Sequence, residues 1–254
     1  MEFARRFYGN SVGAIKECWH AQRDHPGYPD LPIHDHEFNF EEKAIPLFIH
    51  GDDVGAIGIG KVWSKAVDCV SFGSIIGGRG GAFDTHIIIW LLFNNILTKS
   101  TDAARTLQVL WRHLVWSLYW LGKGRWPDRD PNGDLYLTGP AADRAGKPLA
   151  DGFFGQLWNA RADGDWVRDQ YHLADDTGSV PCTCCPAGAE PMPWTDCRTE
   201  EEGNTWIGAI WTKATFAARF GDHRHRLFRF SLASAFLILS QTCSTSSGWA
   251  QPNT

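Results

Sequence analysis

An apolar run at residues 44–54 is the central pattern of the chain, and glycines follow it at positions 55, 58 and 60. The run is apolar in both alternating registers, which is typical of a central strand covered on both faces. It ends abruptly in two carboxylates, Asp52 and Asp53. Because open α/β folds usually bind ligands at the carboxyl ends of their strands, these acids mark either a functional site or simply a solvated strand end.

Three further segments have the length and composition of strands. They cover residues 66–76, 85–93 and 153–160. The last of them, like the first, leads into acids, here Asp163 and Asp165. Together with the helices described next, these strands predict an α/β fold.

One long helix is predicted between the third and fourth strands, where apolar residues recur at spacings of three and four. These residues are Leu107, Leu110, Trp111, Leu114, Leu118 and Leu121. Thr101 or Asp102 is expected to cap its first turn, and Gly122 and Gly124 are expected to end it. Further helices are predicted to begin at Trp166 and to cover residues 204–220.

The segments outside this core are predicted to be less regular. Residues 1–43 form an extended lead-in with a short helix near residues 12–22, because prolines interrupt any sustained pattern. Residues 126–152 are rich in Pro, Gly and Asp, so we predict an inserted loop or small hairpin that turns at Asn132 and Gly133. The lead-in contains four histidines that fit no metal-ligand spacing and are interpreted as surface residues. They are His20, His25, His34 and His36.

Composition and charge narrow the class of protein. With 254 residues, 43% hydrophobic and 21% charged, the chain is expected to form one globular domain with insertions. The net charge of -5 excludes a basic field over the whole chain of the kind that drives nucleic-acid binding. Contact with a phosphate backbone would therefore be local, and an ordinary solvated face is the alternative for the concentrated basic patch. That patch comprises Arg219, Arg224, Arg226 and Arg229.

No signal peptide or transmembrane segment is predicted. Arg5 and Arg6 are not followed by a long apolar segment. The apolar run at residues 230–239 is too short to cross a bilayer. We therefore expect an intracellular protein with no membrane partner.

The cysteines predict either a metal site or reduced thiols. They number seven, and an odd count argues against a disulfide framework. Cys182 and Cys185, in a loop predicted at about residues 174–198, have the spacing of half a tetrahedral zinc site. His172 or Cys197 would supply the remaining ligands. Ordinary reduced loop cysteines are the alternative.

The order of the elements brings the two acid-tipped strands together. A strand ending in an acid, two strands, a helix and a fourth strand ending in an acid is the order of a ribonuclease-H-like fold, a mixed sheet flanked by helices. Strands one and four are neighbours in that fold, so Asp52 and Asp165 would meet at one sheet edge. Paired carboxylates repel unless a cation neutralises them, and Mg²⁺ prefers such oxygen ligands. Two such ions would activate water and stabilise the leaving oxygen in phosphodiester cleavage. Unrelated acids on separate loops are the alternative.

Short motifs in the same order resemble a known family. His50-Gly51-Asp52-Asp53, and Gly164-Asp165-Trp166 followed by His172 and Cys182-x-x-Cys185, look like the transposase domain of CACTA-type and Plavaka-type cut-and-paste DNA transposons. Other short segments, such as Pro193-Trp194-Thr195-Asp196, resemble transposase-like proteins that occur in many copies in some protist genomes. The similarity covers roughly residues 44–229, so the remaining chain is divided into the lead-in, residues 1–43, and a divergent tail, residues 230–254.

The resemblance implies a DNA partner, a nuclear location and Mg²⁺ or Mn²⁺ as the ancestral cofactor. It makes Asp52 and Asp165 the first two metal-binding acids, with Asp53 and Asp163 as alternatives. The family also has a third acid in an Asp-x-Met-His-like segment, and this chain lacks such a segment. We therefore expect a transposase-derived domain for DNA strand cleavage and transfer that is inactive on its own. The alternatives are a non-catalytic, zinc-stabilised module that binds nucleic acid or protein, and a decayed fragment.

Overall fold

The computed structural model describes the lead-in from residue 13, the strands, and the long insertion before the fourth strand. The described residues are 13–25, 28–29, 31–54, 67–77, 81, 85–93, 96, 104–163, 166, 185–188, 192–193, 195–196, 198, 203, 209 and 215, with the side chains of 104, 105 and 108 excepted. The predicted caps Thr101 and Asp102 and the predicted helix at residues 204–220 thus lie largely outside them.

The four predicted strands and the long helix are all present, with ends that differ from the prediction by a few residues. The strands are β1 (Ala44–Val54), β2 (Val67–Ser74), β3 (Ile87–Phe93) and β4 (Phe154–Arg161). The helices are α1 (Gly13–Ala21), the single turn α2 (Phe40–Lys43), α3 (Ala104–Lys123) and α4 (Gly139–Arg144), with short 3₁₀ turns at Pro32–Asp35 and Ala150–Gly152. Gly124 ends α3 as predicted, in the left-handed conformation with φ +61°.

The strands form one sheet in the order β3-β2-β1-β4. β2 is antiparallel to both of its neighbours. β1 and β4 both start at the same end of the sheet, because Lys43, just before β1, contacts two residues just before β4. Its Nζ donates to the Asp151 carbonyl at 3.3 Å and lies 4.2 Å from the centre of the Phe153 ring. β4 therefore runs parallel to β1, the sheet is mixed, and the predicted pairing of the first and fourth strands is confirmed.

One face of the sheet is covered by α3. Trp90 of β3 packs edge-on against Trp111 of this helix, with ring centres 5.3 Å apart. Near the end of α3, the packing is so close that only glycine fits at position 155. A Cβ atom there would lie 2.5 Å from Leu47 Cδ1 and 2.8 Å from Leu121 Cδ2. The end of α3, the central strand β1 and the end strand β4 therefore pack closely together at this glycine.

The described part of the lead-in packs against the sheet, whereas the sequence predicts an extended segment with one short helix. The predicted short helix is present as α1. Its Trp19 is buried, donates its indole N–H to the Ala44 carbonyl at 2.7 Å and packs edge-on against Trp158 at 5.7 Å. Large aromatic side chains thus fix a segment whose prolines predict little regular structure.

His36 is a packed residue and not the surface histidine that the sequence predicts. Its ring stacks on Phe154, with centres 3.7 Å apart. Its Nδ1 accepts the backbone N–H of Phe38 at 3.1 Å, so Nε2 carries the proton and donates to the Gly122 carbonyl at 3.0 Å. The lead-in is thereby attached to the last turn of α3 and to the start of β4.

The predicted insertion is a small folded unit that includes α4. Its turn at Asn132 and Gly133 is confirmed. One carboxylate oxygen of Asp130 accepts the backbone N–H groups of Asn132 at 2.8 Å and of Asp134 at 2.9 Å, while Gly133 has φ +97°. These backbone hydrogen bonds, led by the one from Asp134, lower the pKa of Asp130.

The chain divides into two compact units, residues 1–158 and 159–254, and the division falls inside β4. Within the described residues, no helix is long and apolar enough to cross a membrane.

Candidate functional site

The carboxyl end of β1 presents its two aspartates to opposite faces of the sheet. Asp52 lies opposite Cys69 of β2, and Asp53 lies opposite Asp68. Neighbouring residues of a strand point to opposite faces, whereas directly paired residues share a face. Asp53 therefore belongs to the face on which Trp90 and α3 pack, and Asp52 belongs to the other face.

Asp68 is a buried carboxylate that the sequence argument missed. Its side chain is 1% exposed, and one of its oxygens accepts the indole N–H of Trp90 at 2.9 Å. A charge inside the apolar segment that becomes β2 was the available signal. A buried carboxylate needs a hydrogen-bond partner, and Trp90 provides one for Asp68. Asp68 is thus a second acidic group, paired across the strands with the exposed Asp53.

On the other face, Asp52 is half-buried and shares its surroundings with a thiol. The pKa of Cys69 is raised, first by burial and then by the negative charges of Asp68 and Asp52. A raised pKa keeps the thiol protonated at neutral pH, and thiolates are the form that attacks substrates and binds soft metals. Of this pair, Asp52 is therefore the better ligand for a hard cation.

Two histidines lie on the same face as Asp52, nearer the middle of the sheet. His50, two residues before Asp52, has its ring centre 5.4 Å from that of His86. The Nδ1 atom of His86 lies 3.3 Å from the Ser71 hydroxyl, and Ser71 is the strand partner of His50. Sequence reasoning did not find His86, which belongs to no motif and reaches the site only because β2 and β3 are paired.

These groups do not form a complete metal site within the described residues. No set of three or more His, Cys, Asp or Glu side chains there is arranged to hold a metal ion. Asp52 offers one oxygen donor at the end of a central strand, and a hard cation needs several such donors. Asp165, the predicted second ligand, lies outside the described residues.

The alternative acid after β4 has a local role. One carboxylate oxygen of Asp163 accepts the backbone N–H of Trp166 at 2.6 Å. An acceptor three residues before a buried tryptophan is the arrangement of a helix cap. A metal ion at Asp163 would therefore have to compete with the hydrogen bond from Trp166.

Of the predicted zinc ligands, Cys185 alone is described. It is 4% exposed and precedes a short parallel bridge between Gly188 and Pro193. The other predicted zinc ligands and the basic patch lie outside the described residues, and both stay predictions. They are His172, Cys182 and Cys197, and Arg219, Arg224, Arg226 and Arg229.

Comparison with known proteins identifies no family for this chain. No protein-family model, no curated protein and no solved structure matches the chain.

Proposed function

We propose that this chain is a ribonuclease-H-like domain related to DNA transposases, in which Asp52 binds Mg²⁺ or Mn²⁺ beside a DNA strand. The proposed ancestral chemistry is metal-dependent cleavage and transfer of DNA strands. In this proposal the chain binds metal and DNA but does not cut DNA on its own, because its sequence lacks the family's third acid.

The observation that carries the proposal is the position of β4 in the sheet. A ribonuclease-H-like fold requires the fourth strand beside the first and parallel to it, although two strands and a helix separate them in the sequence. The order β3-β2-β1-β4 meets this requirement, as do the contacts of Lys43 at the starts of both strands. An α/β chain with a sequential order of strands would not meet it.

Asp52 fits the proposed role through its position and chemistry. It stands at the end of a central strand and is half-buried, so its carboxylate keeps access to an ion. A bound divalent ion would polarise a phosphate oxygen and stabilise developing negative charge. Asp52 would hold the ion, and Asp165 is kept as the second ligand on the basis of the sequence resemblance.

The test is a Mn²⁺ titration of the whole chain followed by calorimetry. We expect saturable binding that Asp52→Asn weakens at least tenfold, because the substitution replaces a charged oxygen ligand by a neutral amide. Asp165→Asn should weaken binding similarly. Asp143→Asn is the matched control, since Asp143 is an exposed aspartate of α4.

Two outcomes would overturn the proposal. One is a folded wild type that binds no Mn²⁺. The other is binding that Asp143→Asn weakens as much as Asp52→Asn does, which would show nonspecific attraction to acidic surface. Asp53→Asn and Asp163→Asn decide between the alternative acids, and a labelled DNA duplex should be bound by the wild type but left uncut with Mn²⁺.

A further inference from the structure

The turn at Asn132 and Gly133 joins two residues that are chemically reactive as a pair. The backbone nitrogen that follows an asparagine attacks the side-chain amide, and asparagine is for this reason a thermolabile residue. Glycine in the following position hinders the attack least, because it has no side chain. This is the single Asn-Gly pair in the chain. Both residues are exposed, so the pair is open to water.

The reaction needs no partner other than water. The nitrogen of Gly133 forms a bond to Cγ of Asn132, the bond between Cγ and Nδ2 breaks, and Nδ2 leaves as ammonia with the amide proton of Gly133. The product is a five-membered succinimide ring. Water then opens the ring at either carbonyl, which leaves aspartate or isoaspartate in place of asparagine.

The folded backbone of the turn opposes this attack. The Gly133 N–H donates to the Asp130 carbonyl at 3.0 Å, which closes a four-residue turn with Pro131 in its second position. Asn132 has a negative φ, and these features define a type I turn. The third residue of such a turn has ψ of about 0°. The Gly133 nitrogen therefore eclipses the backbone nitrogen of Asn132 and lies away from Cγ.

The side chain of Asp130 opposes the attack as well. One carboxylate oxygen accepts the backbone N–H groups of Asn132 at 2.8 Å and of Asp134 at 2.9 Å. The other accepts a proton of Asn132 Nδ2, the group that must leave, at 3.2 Å. The negative charge of Asp130 also disfavours removal of the Gly133 amide proton, because that step creates a second negative charge nearby.

We propose that Asn132 is a deamidation site that Asp130 keeps unreactive as long as the insertion is folded. Local opening of the turn releases the Gly133 nitrogen, and exposed loops are among the parts of a protein that open most readily. Closing the turn again protects an Asn132 that has not yet reacted. The rate of deamidation therefore follows the population of the open turn.

A modified turn does not close in the same way. Isoaspartate adds a methylene group to the backbone between residues 132 and 133, so the hydrogen bond from Gly133 to Asp130 loses its spacing. Either product also loses the Nδ2 donor and gains a carboxylate, which Asp130 repels. Deamidation is thus an irreversible step that leaves the turn open.

Peptide mass spectrometry of the whole chain, incubated at mildly alkaline pH, tests the proposal by following the fraction of Asn132 converted over time. Conversion should be at least about tenfold slower in the folded wild type than in the same chain unfolded in guanidinium chloride. Asp130→Ala should raise the rate in the folded protein about tenfold, because it removes three hydrogen bonds from the turn. Asp130→Asn, which keeps an oxygen acceptor, should raise it less. Both variants should keep the far-ultraviolet circular dichroism spectrum of the wild type.

Asp134→Ala is the matched control, since the turn uses the backbone N–H and carbonyl of Asp134. It removes a neighbouring carboxylate but keeps those bonds, so the rate should change little. A folded wild type that deamidates as fast as the unfolded chain overturns the proposal. So does an Asp130→Ala variant that is no faster than the wild type, or an Asp134→Ala variant that is as fast as Asp130→Ala. None of these measurements uses metal or DNA, so this proposal and the proposed function fail independently.

Discussion

The two ends of β1 are built in opposite ways. At its start, around Ala44, three side chains connect the lead-in to β1, α3 and the residues before β4. They are those of Trp19, His36 and Lys43. At its other end, Asp53 and Val54 are exposed. The same strand is thus fixed by aromatic packing at one end and leaves carboxylates accessible at the other. This contrast separates the residues expected to determine stability from those expected to bind ligands.

The largest expected effect comes from breaking the packed end. Trp19→Ala removes a buried indole and leaves the Ala44 carbonyl without that hydrogen bond. Burying large aromatic side chains typically stabilises a protein by several kcal/mol, so we expect a loss of about 3–5 kcal/mol in the free energy of unfolding. Urea denaturation followed by circular dichroism measures this loss.

His20→Ala is the control, because His20 is the exposed neighbour of Trp19 on the same helix. It should change the free energy of unfolding by less than about 0.5 kcal/mol. Equal losses for the two variants would show that the helix itself, and not the contact of Trp19 with β1, is what matters.

Much of the fold can be predicted from local pattern, and the packing cannot. The alternation and length of apolar runs predict β1 to β4, and the spacing of leucines predicts α3. His36 stacks on Phe154, and Asp68 bonds to Trp90, only after distant segments have paired. No local pattern contains that information. The acids at the end of β1 were visible in the sequence, but their division between two faces required the register with β2.

A smaller loss in the free energy of unfolding is expected at the carboxyl end of β1, where Asp68 of β2 is a buried carboxylate. Trp90→Phe keeps an aromatic ring against Trp111 but removes the N–H that Asp68 accepts. A hydrogen bond to a charged group contributes about 1.5–3 kcal/mol, and the free energy of unfolding should fall by about that amount. Thermal and urea denaturation of the variant measure it.

The double variant Trp90→Phe with Asp68→Asn sharpens this comparison. Once the carboxylate is replaced by an amide, Trp90→Phe should cost less than it does in the wild type, because no buried charge is left short of a donor. A cost for Trp90→Phe that is the same in both backgrounds would show that the loss comes from ring packing alone.

The smallest effect is a pH dependence at the packed end. His25 lies edge-on to Trp158, with ring centres 5.1 Å apart, and burial lowers its pKa from the ordinary value of 6.5. Its neutral form is therefore favoured in the folded state, and the unfolded chain binds its proton more readily. Stability from this residue is complete above about pH 6.5 and falls as the pH drops below that value toward the lower pKa of the folded state.

The measurement is the free energy of unfolding at several pH values between 5 and 7.5, for the wild type and for His25→Gln. Glu37 does not interfere in this window. Its hydrogen bond to Arg125 lowers its pKa from 4.5, so the stability it adds is lost only at more acidic pH. The decline between pH 6.5 and 5 should be shallower in His25→Gln than in the wild type, because glutamine does not titrate. Equal slopes in the two proteins would show that His25 is not the cause of the decline.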